Sequence, residues 1–385
     1  MKTSFIIFFA IVLTIYGLVN FYIFMRGWQA IPANPALRIS YISAFIVLSL
    51  SWLAGRILEN NYSNAFSDML IWTGSFWLGA MVYFLFIVII TDLTRLINKF
   101  INFLPEPDSP LYSKLKLIVF FVSTGIVIVV VFAGYINARN PRINTLEIKI
   151  NKKAGNLKEL NIAMASDIHL GTVVNNEWFS KIVSEINSLN PDIVLLAGDI
   201  VDEDVKPVIR NNLGEQLKNI KSKYGTYGIT GNHEYIGGVE PACKYLAEHG
   251  VTMLRDTSVL IDGSFYVAGR EDRDISRFAG KSRKKLSEIL EGVDKNLPVI
   301  VMNHQPFDLD EAVKEKADLH LSGHTHGGQL FPFNFLTEKI YEISRGYLKK
   351  EDTHFFVSNG AGTWGPPVRI GNRPEVVNIR IIFPE

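Results

Sequence analysis

The chain has 385 residues, 48% hydrophobic and 20% charged, with a mean hydropathy of +0.17. Its charges are uneven: residues 1–138 hold 8 Lys/Arg and 5 Asp/Glu, the remainder 31 and 33. An apolar front third before an ordinarily charged remainder excludes a disordered chain, a collagenous repeat and a single soluble domain. The net charge is +1 overall and −2 for the back part, with no basic stripe, which counts against nucleic acid as a partner. Cys243 is the single cysteine, so the fold is not a disulfide scaffold.

Four apolar runs come first, at about Phe5–Met25, Leu37–Ile57, Met69–Ile90 and Leu115–Ile136. Each approaches the ~20 residues that carry a helix across a ~30 Å hydrocarbon core. The first run is too long for a signal-peptide core of about 7–15 residues, and no A-x-A-like site follows, so it reads as a retained span. Pro32-Ala33-Asn34-Pro35, Glu59-Asn60-Asn61 and the proline-rich Pro105–Pro110 punctuate the runs. Trp28, Trp52, Trp72, Tyr112 and Tyr135 fall near the expected ends, where amphipathic rings favour the interface. No ionisable residue lies mid-run, so an anchor is favoured over a transporter. Four spans put both ends on one side. Loops one and three carry six Lys/Arg against seven opposite, which does not orient the chain.

From about residue 144 short β-rich runs alternate with helical patterns. Strands are expected at Leu146–Ile150, Asn161–Ser166, Ile193–Ala197, Tyr227–Thr230, Phe265–Ala268, Val299–Asn303, Leu319–Ser322, Phe355–Ser358 and Val376–Ile382. Helices are expected at Asn176–Ser188, Pro207–Lys221, Pro241–His249, Ser282–Glu291 and Leu309–Lys316. This alternation predicts an α/β fold with partly parallel sheets. The expected regions are a transmembrane part over 1–138, a linker and first strand over 139–157, and a catalytic domain over 158–385.

Five expected strands run into polar residues: Asp167-Ile168-His169, Gly198-Asp199, Gly231-Asn232-His233-Glu234, Asn303-His304 and Gly323-His324-Thr325-His326. Ligands bind beyond the carboxyl ends of such strands. One histidine after a strand is usually structural, but here five of the eight histidines take part. Oxygen and imidazole donors without thiolate suit Mn, Fe or Zn. Two partly neutralised cations ~3.5–4 Å apart attract phosphate, acidify water and clamp an in-line displacement. One carboxylate has to bridge them, and Asp199 is the best candidate. Gly198, Gly231 and Gly323 permit sharp turns and close approach.

This ordered set resembles the motifs of the calcineurin-like metallophosphoesterases, over about residues 158–385. Ser166–Gly171, Gly323–Gln329 and Gly362–Arg369 are similar to the membrane-anchored bacterial branch, which includes enzymes acting on lipid-linked phosphoesters and pyrophosphates. The resemblance implies a four-layer αββα sandwich. It implies that Asp167, His169, Asp199 and His326 bind one divalent metal and Asp199, Asn232, His304 and His324 a second. His233 would serve the leaving group or the transferring phosphoryl, with Asp202 orienting it. Glu203-Asp204 replaces the Arg-Gly of the phosphoprotein phosphatases, which counts against a protein phosphatase.

Trp364, Pro366, Pro367 and Arg369 are candidates for the substrate entrance. Arg270–Arg273 reads as a solvated charged turn in preference to a site element. Phe331–Leu336 is unusually apolar for a loop and reads as core or as a membrane or acyl-chain contact. The expected function is a membrane-tethered, two-metal phosphohydrolase. Metal-held hydroxide would attack a phosphodiester or pyrophosphate, a lipid or lipid-linked substrate being the most economical reading, with membrane lipids as neighbours. Manganese is one of the expected metals. The alternatives are a non-catalytic scaffold of the same fold and a phosphodiesterase of soluble nucleotides; a nuclease and a transporter are disfavoured. Metal identity, membrane side and oligomeric state stay open.

Overall fold

The computed structural model describes Lys2–Pro384, without the side chains of residues 2–6, 8 and 9. Met1 and Glu385, the outer bounds of the two expected regions, lie outside the described residues. The chain divides into two compact units, Met1–Tyr135 with Gly365–Val368, and Ile136–Trp364 with Arg369–Glu385.

The first unit is built on α1 (Lys2–Ala30), α2 (Pro35–Asn61), α3 (Ala65–Ile101) and α4 (Pro110–Ala138). All four are long and apolar enough to cross a membrane. Asn34 starts α2 by accepting the Ala36 and Leu37 amides on its side chain, with Pro35 at the first helical position. Asn64 and Ser67 cap α3 reciprocally. α2 and α3 pack backbone to backbone at Gly74, where a Cβ would stand 2.1 Å from the Trp52 nitrogen. Ile23, Phe45 and Trp77 form the buried centre of this unit, and Trp77 donates to Asn20 at 2.9 Å.

The second unit contains twelve strands among the described residues. They are β1 (Arg142–Lys149), β2 (Glu159–Ala165), β3 (Ile193–Leu196), β4 (Thr226–Gly228), β5 (Val251–Met253), β6 (Thr257–Ile261), β7 (Phe265–Gly269), β8 (Val299–Met302), β9 (Leu319–Ser322), β10 (Gly346–Lys350), β11 (Thr353–Val357) and β12 (Glu375–Ile382). One mixed sheet has the order β1-β12-β2-β3-β4-β5, the other β10-β11-β9-β8-β7-β6. Their facing surfaces share one core, in which Ile162, Leu195 and Ile379 of the first sheet meet Phe265, Ile300 and Leu319 of the second. Outer helices cover both sheets, giving the four-layer α/β architecture. α5 (Asn176–Ser188) buries Trp178, Phe179, Ile182, Val183 and Ile186, the spacing of one helical face. The central strands β2, β3, β8 and β9 are parallel to their neighbours β3, β4, β7 and β8 and nearly all buried, hence their unbroken apolar runs.

Two expectations are corrected. The helix expected over Pro207–Lys221 is two pieces, Val205–Arg210 and a 3₁₀ turn Leu213–Asn219. Asn212 turns into the left-handed region (φ 51°), and the Gly214 amide donates to the Tyr245 hydroxyl. Arg270–Asp272 is not solvated: Arg270, Glu271 and Asp272 are buried. Glu271 accepts from Thr230, Tyr235 and Arg255 at 2.6–2.7 Å, and Asp272 accepts from Gln305 at 2.9 Å. Burial of these charges is tolerated because each has partners.

Candidate active site

All five polar strand endings converge at the carboxyl edges of the two sheets. β2, β3 and β4 deliver Asp167, His169, Asp199, Asn232 and His233, while β8 and β9 deliver His304, His324 and His326. Two clusters form. In the first, Nε2 of His169 lies 3.0 Å from Nε2 of His326, which is 3.3 Å from Oδ1 of Asp167. In the second, Nε2 of His304 lies 3.0 Å from Oδ2 of Asp199, and Nδ1 of His324 lies 2.8 Å from Oδ1 of Asn232. The same Oδ2 of Asp199 is 3.9 Å from Nε2 of His169, so this carboxylate stands between the clusters.

The backbone bends to achieve this. Asp167, His169, Asp199, His324 and His326 all have positive φ, between 50° and 72°. Such conformations cost side-chain-bearing residues roughly 1–2 kcal/mol each and concentrate at functional sites. Gly198 also turns left-handed (φ 87°), and a Cβ there would lie 2.6 Å from Nδ1 of His304. At Gly323 a Cβ would lie 2.2 Å from Oδ2 of Asp167, so only a bare backbone lets the sheets' loops close.

Asp167, His169, Asp199, His304 and His326 are each at most 7% exposed, so charge balance decides their protonation. Burial opposes charge on His304, but the Asp199 carboxylate outweighs it and raises its pKa well above the usual value. Burial, then His304, holds His324 down to about 3; burial, then Arg369, holds His326 well below the ordinary range. Burial raises Asp167, and His304 with its neighbours overrides burial to lower Asp199. Imidazole nitrogens facing each other and a carboxylate in a buried pocket fit divalent cations: oxygen and nitrogen donors, no thiolate, in four overlapping groups among the described residues, Asp167/His169/His326, Asp199/His304/His324, His169/Asp199/His233 and Asp202/Glu203/His233.

His233 sits beside the clusters, its ring 4.5 Å from that of His169. Its Nδ1 lies 3.2 Å from Oδ1 of Asp202, and its amide donates to Oδ1 of Asp199 at 2.9 Å. Trp364, half exposed, stands 5.7 Å from the His233 ring. Arg369 does not line an entrance: it is fully buried behind His326, with Nη2 3.0 Å from Nδ1 of His326 and further donations to the Gly362 and Asn359 carbonyls. Glu234 carries no assignment from the motifs, yet it accepts the amides of Asp199, Ile200, Val201 and Gly231. Its place beside Asn232 and His233 was the only sequence signal for that role.

The sequence pattern of the calcineurin-like phosphoesterases matches residues 160–328. An uncharacterized metallophosphoesterase of Helicobacter pylori strain J99 is 30% identical over 375 residues, covering 95% of each chain. The chain belongs to the calcineurin-like metallophosphoesterases, and as such is a metal-dependent phosphoesterase whose family uses a dinuclear divalent metal centre. It is similar along almost its whole length to a metallophosphoesterase of Campylobacter jejuni, 30% identical over 98% of each chain. A transmembrane protein with metallophosphoesterase domain of Danio rerio is 33% identical over 64% of this chain and 59% of its own length.

Proposed function

We propose that the chain is a membrane-tethered phosphohydrolase that cleaves a phosphodiester or pyrophosphate bond of a lipid-linked substrate. Residues 1–138 form its membrane region and 158–385 its catalytic domain, joined by 139–157. Asp167, His169, Asp199 and His326 would hold one divalent ion, and Asp199, Asn232, His304 and His324 the other. The bound pair supplies Lewis acidity toward the phosphoryl oxygens and an acidified water. His233 donates a proton to the leaving oxygen, and Asp202 holds its ring by the contact at Nδ1. Burial disfavours charge on His233, and Asp199 and then Asp202 raise its pKa against that burial; Asp202, which is given no ion, is the carboxylate left to favour the charged ring.

The lipid reading rests on one observation. The segment directly after the His324/His326 motif exposes Phe331, Phe333, Phe335, Leu336 and Ile340, and the helix Asn334–Ile340 buries none of its residues. Its C-cap residue Tyr341 returns to within 6.2 Å of the His324 ring. An exposed cluster of Phe331, Phe333, Phe335, Leu336 and Ile340 beside a phosphoester site suits an acyl chain or a bilayer surface.

The test uses the full chain in lipid nanodiscs with Mn²⁺. A diacyl lipid pyrophosphate is compared with its water-soluble headgroup and with bis(p-nitrophenyl) phosphate. We expect the lipid substrate to be favoured in kcat/KM by on the order of tenfold or more, one acyl contact being worth ~1–3 kcal/mol. Phe335→Ser with Leu336→Ser should erase that preference and spare the soluble diester. Equal turnover of lipid and headgroup would instead support a soluble nucleotide phosphodiesterase.

A further inference from the structure

The membrane unit holds a cavity of its own, of about 670 Å³, lined by all four helices. This lies within the ~300–1,000 Å³ typical of ligand pockets. α4 meets the other helices through aromatic contacts at separated points. Tyr135 meets Trp72 and Phe76, and Phe120 meets Tyr41. Between them the wall is apolar, with Ile23, Phe45, Trp77, Val119, Val127 and Val131.

The charged lining is gathered at one end. Arg26 lies in the last turns of α1, Asp92 and Arg95 toward the end of α3, and Lys116 in the second turn of α4. These are the helix ends joined by residues 31–34 and 102–109. Asp92 accepts from Arg26 at 2.5 Å, from Tyr22 at 2.6 Å and from Arg95 at 3.2 Å. Lys116 makes no ion pair among the described residues; its ammonium lies 5.5 Å from the Tyr112 ring centre. Two cations thus share one carboxylate and Lys116 adds a third, leaving an excess of two positive charges at one end of an apolar cavity.

We propose that this cavity binds a phospholipid of net anionic headgroup, its acyl chain between α4 and the other helices and its phosphate on Arg26, Arg95 and Lys116. Charge complementarity selects this occupant. A zwitterionic lipid fills the apolar part but leaves the cationic excess uncompensated, and a soluble anion leaves the apolar part unfilled. Basic pockets between membrane helices are the usual sites for anionic headgroups. The site lies wholly in the membrane unit and does not depend on the identity of the hydrolysed bond.

The experiment uses the full chain, delipidated in detergent and titrated with dioleoylphosphatidylglycerol or dioleoylphosphatidylcholine. Bound lipid is counted by native mass spectrometry and stability is read by thermal shift. One phosphatidylglycerol should be retained on the order of tenfold more tightly than phosphatidylcholine, each basic residue adding a few-fold. Lys116→Gln, which breaks no ion pair, should cut that preference several-fold, and Ser123→Trp, which fills the cavity, should abolish retention of both lipids. Equal retention of the two lipids by the wild type, no retained lipid, or an undiminished preference in Lys116→Gln together with full binding in Ser123→Trp would each overturn the proposal.

Discussion

Nη2 of Arg369 stands 3.0 Å from Nδ1 of His326, and both side chains are buried, Arg369 being 0% and His326 7% exposed. The guanidinium also donates to the Asn359 and Gly362 carbonyls, so one buried charge ties a candidate metal ligand to two loop carbonyls. Arg369→Ala should lower divalent-metal affinity, because the Asn359 and Gly362 carbonyls that fix the loops behind His326 lose their shared donor. It should also cost roughly 3 kcal/mol or more, because several buried acceptors lose a charged donor. Arg369→Lys should be intermediate, since an ammonium cannot reach all these acceptors in one plane. Metal content after dialysis and the urea midpoint decide it; full metal retention in Arg369→Ala would refute the role.

The pair His233 and Asp202 makes a pH prediction. Asp199 and then Asp202 raise the pKa of His233 against its burial, and Asp202 is the one of the two that is given no ion. A proton donor loses activity as pH rises through its pKa. Asp202→Asn removes a group that favours the charged ring, so the alkaline limb of kcat should move to lower pH. His233→Ala should lower kcat by ~10²–10⁴-fold with metal content unchanged. The measurement is log kcat against pH on a chromogenic diester; a limb that stays in place in Asp202→Asn would remove Asp202 from this role.

Glu234 holds the loop of Asp199 to the loop of Asn232 through four accepted amides. Glu234→Ala leaves four buried donors without an acceptor, each costing ~1–3 kcal/mol. Such a change should prevent folding of the catalytic domain or release its metals. Glu234→Gln keeps one acceptor oxygen and should fold with a reduced urea midpoint. A fully stable, metal-loaded Glu234→Ala protein would contradict this.

His320, in β9, is 3% exposed and packs on Phe355 at 5.3 Å. Burial, then the charge of Arg270, lowers its pKa to about 3 from 6.5. The folded protein therefore binds fewer protons than the unfolded chain between those values. Its contribution is fully present above ~6.5 and is lost as pH falls toward about 3, with an upper bound of ~4–5 kcal/mol. His320→Leu should flatten the acid side of the stability profile, read as melting temperature against pH. An unchanged slope would show that other groups govern acid unfolding.

Much of this protein is legible without coordinates. Membrane spans are legible because hydrocarbon demands long apolar helices. The parallel strands are legible because strands buried on both faces become continuous apolar runs, and Asp167, His169, Asp199, Asn232, His304, His324 and His326 mark where those runs end. Local patterning left other features undecided because they depend on residues distant in sequence. The charge run Arg270–Arg273 reads as a solvated turn, yet Thr230, Tyr235 and Gln305 come from other segments to pair the carboxylates of Glu271 and Asp272. Arg369 reads as a rim residue, yet β12 and the loop before it carry it behind His326, more than forty positions away. The sequence by itself determined which chemistry the donors can perform, since residue type and strand-end position carry that. Only the tertiary structure decided how close the donors of each cluster stand, which charges are buried with partners, and where α4 leaves a cavity. Those depend on how separate segments pack, and packing is a property of the whole chain.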